Sequence, residues 1–175
     1  MILIGDVSAA NSKQLKELAQ KNDYSVEEAQ AHPDCKCGEK LEQVSQPVKK
    51  QFGVFCVTIS DRASKGEYPE DLSGKALREC VASNERFVQV GKSVIVPDEI
   101  HAIQGAVKQG ILLGADLVLT SGGTGFSPTD VTPEAVEPLI IKQCHSLTQY
   151  MQAEAVRTVT PLACLSRSVI GMVQG

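Results

Sequence analysis

The stretch "LTSGGTGFSPTDVTPEAV", residues 119 to 136, sets three glycines and a series of hydroxyl side chains around Asp130. Gly122, Gly123 and Gly125 permit backbone conformations closed to other residues and let main-chain N–H groups approach a ligand. Consecutive N–H groups in such turns form an anion nest, and a following helix N-terminus adds positive partial charge. Phosphate binding fits that chemistry, and so does a mobile glycine turn that binds nothing. Thr132 before Pro133 reads as a hydroxyl N-cap with proline at the first helical position, which leaves room for a ligand contact as well. Asp130 precedes that cap, so capping does not explain it, although a carboxylate at a helix start also favours the dipole.

Asp98, in "VPDE", either caps a helix beginning at Glu99 or aims a carboxylate into a ligand cleft. Asp98 and Asp130 at the ends of neighbouring strands could share a magnesium ion that a nucleotide brings with its phosphates. The long polar loop "SDRASKGEYPEDLSG" (60 to 74) offers Ser60, Asp61, Asp71, Ser73 and Gly74, with Asp71 or Ser73 a candidate cap for the next helix. His32, Cys35 and Cys37 in "HPDCKC" are possible metal ligands, but no second Cys or His cluster completes a set of four.

These loops need elements to hold them. "FGVFCVTI" (52 to 59) is a nearly continuous apolar run, as in a strand covered on both faces. "SGKALRECVAS" (73 to 83) places Leu77, Cys80 and Val81 on one helical stripe, and "FVQVGKSVIV" (87 to 96) is a second strand. A helix over 98 to 114 is marked by Ile100, Ile103, Ala106 and Val107, and "ADLVLT" (115 to 120) is a third strand. Residues 133 to 156 predict one or two more helices, with Val136, Leu139, Ile140 and Cys144 on a stripe. Strands alternating with helices imply a parallel sheet between helical layers, with ligands beyond the carboxyl ends of its strands.

Residues 1 to 51 differ: two short polar helices at 11 to 22 and 24 to 32 precede a solvated linker at 36 to 51, with a domain boundary near Gln51. The 175 residues suit one domain with an appendage. A net charge of −4 with scattered basic residues argues against a nucleic-acid partner, and no apolar run is long enough to span a membrane. Scattered cysteines at 35, 37, 56, 80, 144 and 164 fit a reducing compartment, so a soluble cytoplasmic protein is expected.

The stretches "VTISDRAS", "EDLSGKAL", "VPDEIHAI", "LTSGGTGFSPTDVTPEAV" and "TPLACLSRSVIGM" together resemble the molybdopterin adenylyltransferase family, which includes the bacterial MogA and MoaB proteins and the gephyrin G domain. The resemblance covers about residues 52 to 172. It implies a three-layer α/β/α sandwich with a mostly parallel sheet, usually a homotrimer, that binds molybdopterin and ATP with Mg²⁺. The implied reaction is attack of the pterin's terminal phosphate on the α-phosphate of ATP, giving adenylylated molybdopterin and pyrophosphate. By motif position Asp98 and Asp130 are the implied catalytic residues and the Mg²⁺ ligands. Ser60, Asp61, Ser73 and Gly74 are implied substrate contacts from the first loop. Ser121, Gly122, Gly123, Thr124, Gly125, Thr132 and Pro133 follow from the glycine segment, and Ser166 from the last motif.

Family members continue after the equivalent of "LSRSVIGMVQG" with a strand, a loop of the "INLPGSP" type and a helix. The resemblance therefore implies an unpaired sheet edge here and an incomplete pocket. A catalytically weak, oligomeric molybdopterin-binding scaffold is the alternative to an enzyme. Nucleotide pyrophosphatase activity is a third reading, which the full "DVTPEA" run opposes. A molybdenum-insertase domain or protein is the implied downstream partner.

Overall fold

A computed structural model describes residues 2–5 and 51–174. The helices expected at 11 to 22 and 24 to 32, most of the linker and the His32, Cys35 and Cys37 cluster lie outside the described residues. In chain order the strands are β1 (Ile2–Gly5), β2 (Phe52–Ile59), β3 (Phe87–Gln89), β4 (Val94–Val96), β5 (Leu117–Ser121), β6 (Ile140–Gln143) and β7 (Ile170–Val173). The helices are α1 (Asp61–Ser64), α2 (Leu72–Ala82), α3 (Ile100–Leu112), α4 (Thr132–Val136) and α5 (His145–Thr158).

Strand β2 explains the layering. Its side chains alternate between two buried faces, which is why the sequence shows an unbroken apolar run rather than a polar alternation. Phe55, Val57 and Ile59 pack with Ile103, Ala106 and Val107 of α3 and with Ala135 and Val136 of α4. Val54 and Cys56 pack on the other side with Leu77 and Val81 of α2. Helices thus cover both faces, giving the expected α/β/α arrangement. Cys56 is a core residue, and burial pushes its thiol up to about 11, against the nearby Arg78 charge, so it is a poor nucleophile.

The sheet order is β3-β2-β5-β1-β7-β6, with β4 also on β2. Strands β1 to β5 run parallel, β7 is antiparallel to β1, and β6 is antiparallel to β7. The strand expected over 87 to 96 is two strands, because the chain turns at Gly91 with φ 66 and β2 takes both pieces as partners.

Two further expectations are corrected. Ile140 and Cys144 do not continue a helical stripe: α4 ends at Val136, a 3₁₀ turn spans Glu137–Leu139, and Ile140–Gln143 pairs with β7. Nor does β7 present an unpaired edge to the sheet centre. Ile2–Gly5 lies between β5 and β7 and pairs with both, Leu3 opposite Val118 and Gly171. A four-residue apolar strand far from its partners in sequence gives no local signal of this. Among the described residues no helix is long and apolar enough to cross a membrane.

Candidate functional site

A cleft of about 380 Å³ opens beyond the carboxyl ends of β2, β4 and β5, lined by Ile59, Ser60, Asp61, Arg62, Asp98, Gly123, Thr129 and Asp130. This is where an open parallel sheet collects its ligand loops. From the end of β2, Ser60 is extended (φ −168) and its hydroxyl accepts from Ala63 N at 3.2 Å, capping the single turn α1. That turn fixes Asp61. Its backbone N–H donates to Asp98 Oδ2 at 2.8 Å, and Asp98 N donates to Asp61 Oδ1 at 3.1 Å. The two loops are thus tied reciprocally across β2 and β4.

Asp98 therefore does not cap α3. Glu99 occupies the N-cap position without a side-chain bond, and the Asp98 carboxylate faces the cleft loops. Burial pushes its carboxyl above the ordinary aspartate value, and the charges of Asp61 and Asp130 push the same way, against the bond from Asp61 N–H. Three carboxylates converge on one cleft with Arg62, whose guanidinium also lies 4.9 Å from the Tyr68 ring centroid.

The glycine segment is shaped by close approaches. Gly122 has φ 106, and a Cβ there would stand 2.1 Å from the carbonyl oxygen of Ile59. A Cβ on Gly123 would stand 2.8 Å from Asp98 Oδ1, and one on Gly125 would stand 2.6 Å from Asp130 Oδ2. Asp98 and Asp130 therefore lie against bare glycine main chain. Gly122→Ala is expected to cost about 2–5 kcal/mol through backbone strain and overpacking, read as a lowered denaturation midpoint. Wild-type stability in that variant would contradict the close approach to Ile59.

Thr132 is not the cap expected from its place before Pro133. Val131 stands at the N-cap of α4 with no side-chain bond, while the Thr132 hydroxyl donates to Gly122 O at 2.9 Å and its N–H donates to Gly123 O at 3.0 Å. Those bonds brace the glycine turn from below. Asp130 holds its own loop: its carboxylate accepts from Ser127 N at 3.2 Å, and its N–H donates to Ser127 O at 2.9 Å.

Residues 55–173 match the family described as "Probable molybdopterin binding domain". The chain belongs to this molybdopterin-binding family. Gephyrin from Dictyostelium discoideum is 35% identical over 140 residues, which is 75% of this chain and 19% of gephyrin, so the chain spans about a fifth of that relative. Molybdopterin adenylyltransferase from Pyrococcus furiosus is 32% identical over 138 residues, 77% of each chain. A solved molybdopterin biosynthesis protein from Mycobacterium abscessus superposes with a TM-score of 0.64 at 34% identity, over 70% of this chain and 75% of that one.

Of the candidates read from the sequence, this molybdopterin-binding domain brings Ser60, Asp61, Asp98, Gly123 and Asp130 to the cleft. Ser121, Thr132 and Pro133 are buried behind it. Thr124 and Ser166 bond each other through their hydroxyls at 3.1 Å. Ser73 and Gly74 sit at the start of α2, where Asp71 is the cap: it accepts from Gly74 N and from the Thr58 hydroxyl, each at 2.9 Å. Arg62 and Thr129 line the cleft without having been singled out. Each directly adjoins a selected aspartate, Asp61 or Asp130, and that adjacency was the available signal.

Proposed function

We propose that this chain acts in molybdenum cofactor biosynthesis as a molybdopterin adenylyltransferase, transferring AMP from ATP to molybdopterin. One observation supports the reading above the others: Asp98 and Asp130 reach one cleft from two different loops, each laid against glycine main chain. An oxygen of the pterin's terminal phosphate forms the new bond to the α-phosphorus of ATP. The bond from that phosphorus to the bridging oxygen breaks, and pyrophosphate leaves with the electron pair.

Such a transfer depends on alignment and charge compensation more than on covalent help from the protein. An acidic cleft repels a bare triphosphate, which makes a cation part of the proposal. The carboxylate donors fit Mg²⁺, a hard cation that takes one or two carboxylates and completes its shell with phosphate oxygens and water. When bound, Mg²⁺ would neutralise phosphate charge and ease departure of pyrophosphate. Asp98 and Asp130 would hold it, Ser60, Asp61 and Gly123 would line the bound phosphates, and the buried Ser121, Thr132 and Pro133 would keep the turn in place. Thr124, Gly125 and Ser166 are proposed for the pterin side, and Ser73 and Gly74 for the outer loop.

The test is to incubate purified chain with molybdopterin and Mg-ATP and measure pyrophosphate. Release that requires both substrates is expected. Molybdopterin binding without pyrophosphate release would replace the enzyme by a binding scaffold. A homotrimer is proposed as the assembly on the strength of the family resemblance, with exposed Val159, Leu162 and Leu165 around the end of α5 available for a contact between copies. Light scattering should then return three times the 18.7 kDa chain mass, and a monomer at micromolar concentration would refute the trimer. An insertase domain or protein that takes up adenylylated molybdopterin is the proposed downstream partner.

A further inference from the structure

The least expected feature beside the cleft is how Arg167 spends its donors. Its Nε donates to Gly125 O at 2.7 Å and its Nη2 to Asp130 O at 2.7 Å. Nη1 bonds the Glu134 carboxylate, which this bond holds below the usual glutamate range. Its backbone N–H donates to Thr124 O at 2.8 Å, and its guanidinium lies 5.7 Å from the Phe126 ring centroid. The neighbouring Ser166 carbonyl is held in turn by Gln152 Nε2 of α5, at 2.6 Å.

The two carbonyls that Arg167 joins belong to the first and last residues of one excursion, Gly125 to Asp130. Between them the chain carries Phe126, Ser127, Pro128 and Thr129 outward, with Ser127 bonded to Asp130 across the base and its hydroxyl to that of Thr129 at 2.9 Å. A loop of this composition has many conformations of similar energy, and fixing it costs entropy. A guanidinium is suited to the task because its planar fork of donors reaches several acceptors at once, whereas a lysine ammonium acts as a point charge. We propose that Arg167 is a positioning residue that clasps the base of the 125–130 loop and so sets where the Asp130 carboxylate stands in the cleft. The catalytic consequence rests on the adenylyltransferase reading; the clasp itself does not.

The deciding variant is Arg167→Lys, which keeps the charge but cannot join both carbonyls and Glu134 together. Backbone amide exchange, followed by NMR without any substrate, should quicken about tenfold or more at Ser127 and Asp130, since charge-assisted bonds of this kind are individually worth at least that factor. Val57 and Ile103 in the core should exchange as in wild type. With substrates, kcat should fall by a similar factor while KM for ATP moves much less, and guanidinium ion should partly restore kcat in Arg167→Ala.

Unchanged exchange at these two loop amides would overturn the proposal. So would equal quickening in the core, or a lysine variant that does not fold, because each would make Arg167 an ordinary structural residue. A wild-type chain that transfers no AMP, yet shows the loop-specific change in Arg167→Lys, would sink the function reading and leave the clasp standing.

Discussion

Asp130→Asn should lower kcat by about 10²- to 10³-fold, the usual scale for losing one charge-organising group in a preorganised site, while molybdopterin binding and folding stay close to wild type. The fold should survive because the asparagine amide oxygen can still accept from Ser127 N–H, and the Arg167 bond goes to the main-chain carbonyl of residue 130. What disappears is the negative charge laid against Gly125. Turnover, thermal melting and pterin binding measured on the same preparation separate the two roles. A variant that melts far below wild type would show that Asp130 is structural, and one that turns over normally would remove it from the reaction.

The second large effect has opposite signs for activity and stability. Burial, reinforced by Asp61 and Asp130, raises the Asp98 carboxyl above its ordinary value of 3.8. The folded chain therefore keeps this proton at pH values where the unfolded chain has released it. By linkage, this group's contribution to stability falls as pH rises from about 3.9 through the raised folded value, and the penalty is complete above it. Asp98→Asn removes that penalty while keeping an oxygen for Asp61 N–H. At pH 7 the variant should melt higher than wild type, the gap should close as pH falls below about 4, and adenylyl transfer should be nearly lost. Strained, charge-rich sites commonly trade stability for activity in this way. A variant less stable than wild type at pH 7 would mean that the Asp61–Asp98 tie outweighs the charge repulsion.

Legibility in the sequence followed how local each feature was. β2 and β5 were readable because strands buried on both faces leave unbroken apolar runs, and the glycine segment because its residue types are uncommon together. Asp98 and Asp130 stood out as carboxylates at strand ends. Strand β6 was not readable: Ile140 and Cys144 fall at helical spacing after Val136, and only pairing with β7 decides their conformation. The same holds for Ile2–Gly5, whose partners lie more than 100 residues away. Arg167 was invisible for a related reason, since its importance comes from carbonyl groups that the sequence does not place. Thr132 misled because the hydroxyl-proline pair is a common helix start, whereas here the hydroxyl turns back to Gly122.

The most direct measurement follows the label from ATP carrying a radioactive α-phosphate, in a single turnover with excess chain, Mg²⁺ and molybdopterin. If the cleft between Asp98 and Asp130 is where AMP is transferred, the label should move to the pterin, with one pyrophosphate released for each labelled product. Label released as free AMP would contradict transfer and indicate hydrolysis, and label remaining in ATP beside bound molybdopterin would contradict catalysis altogether.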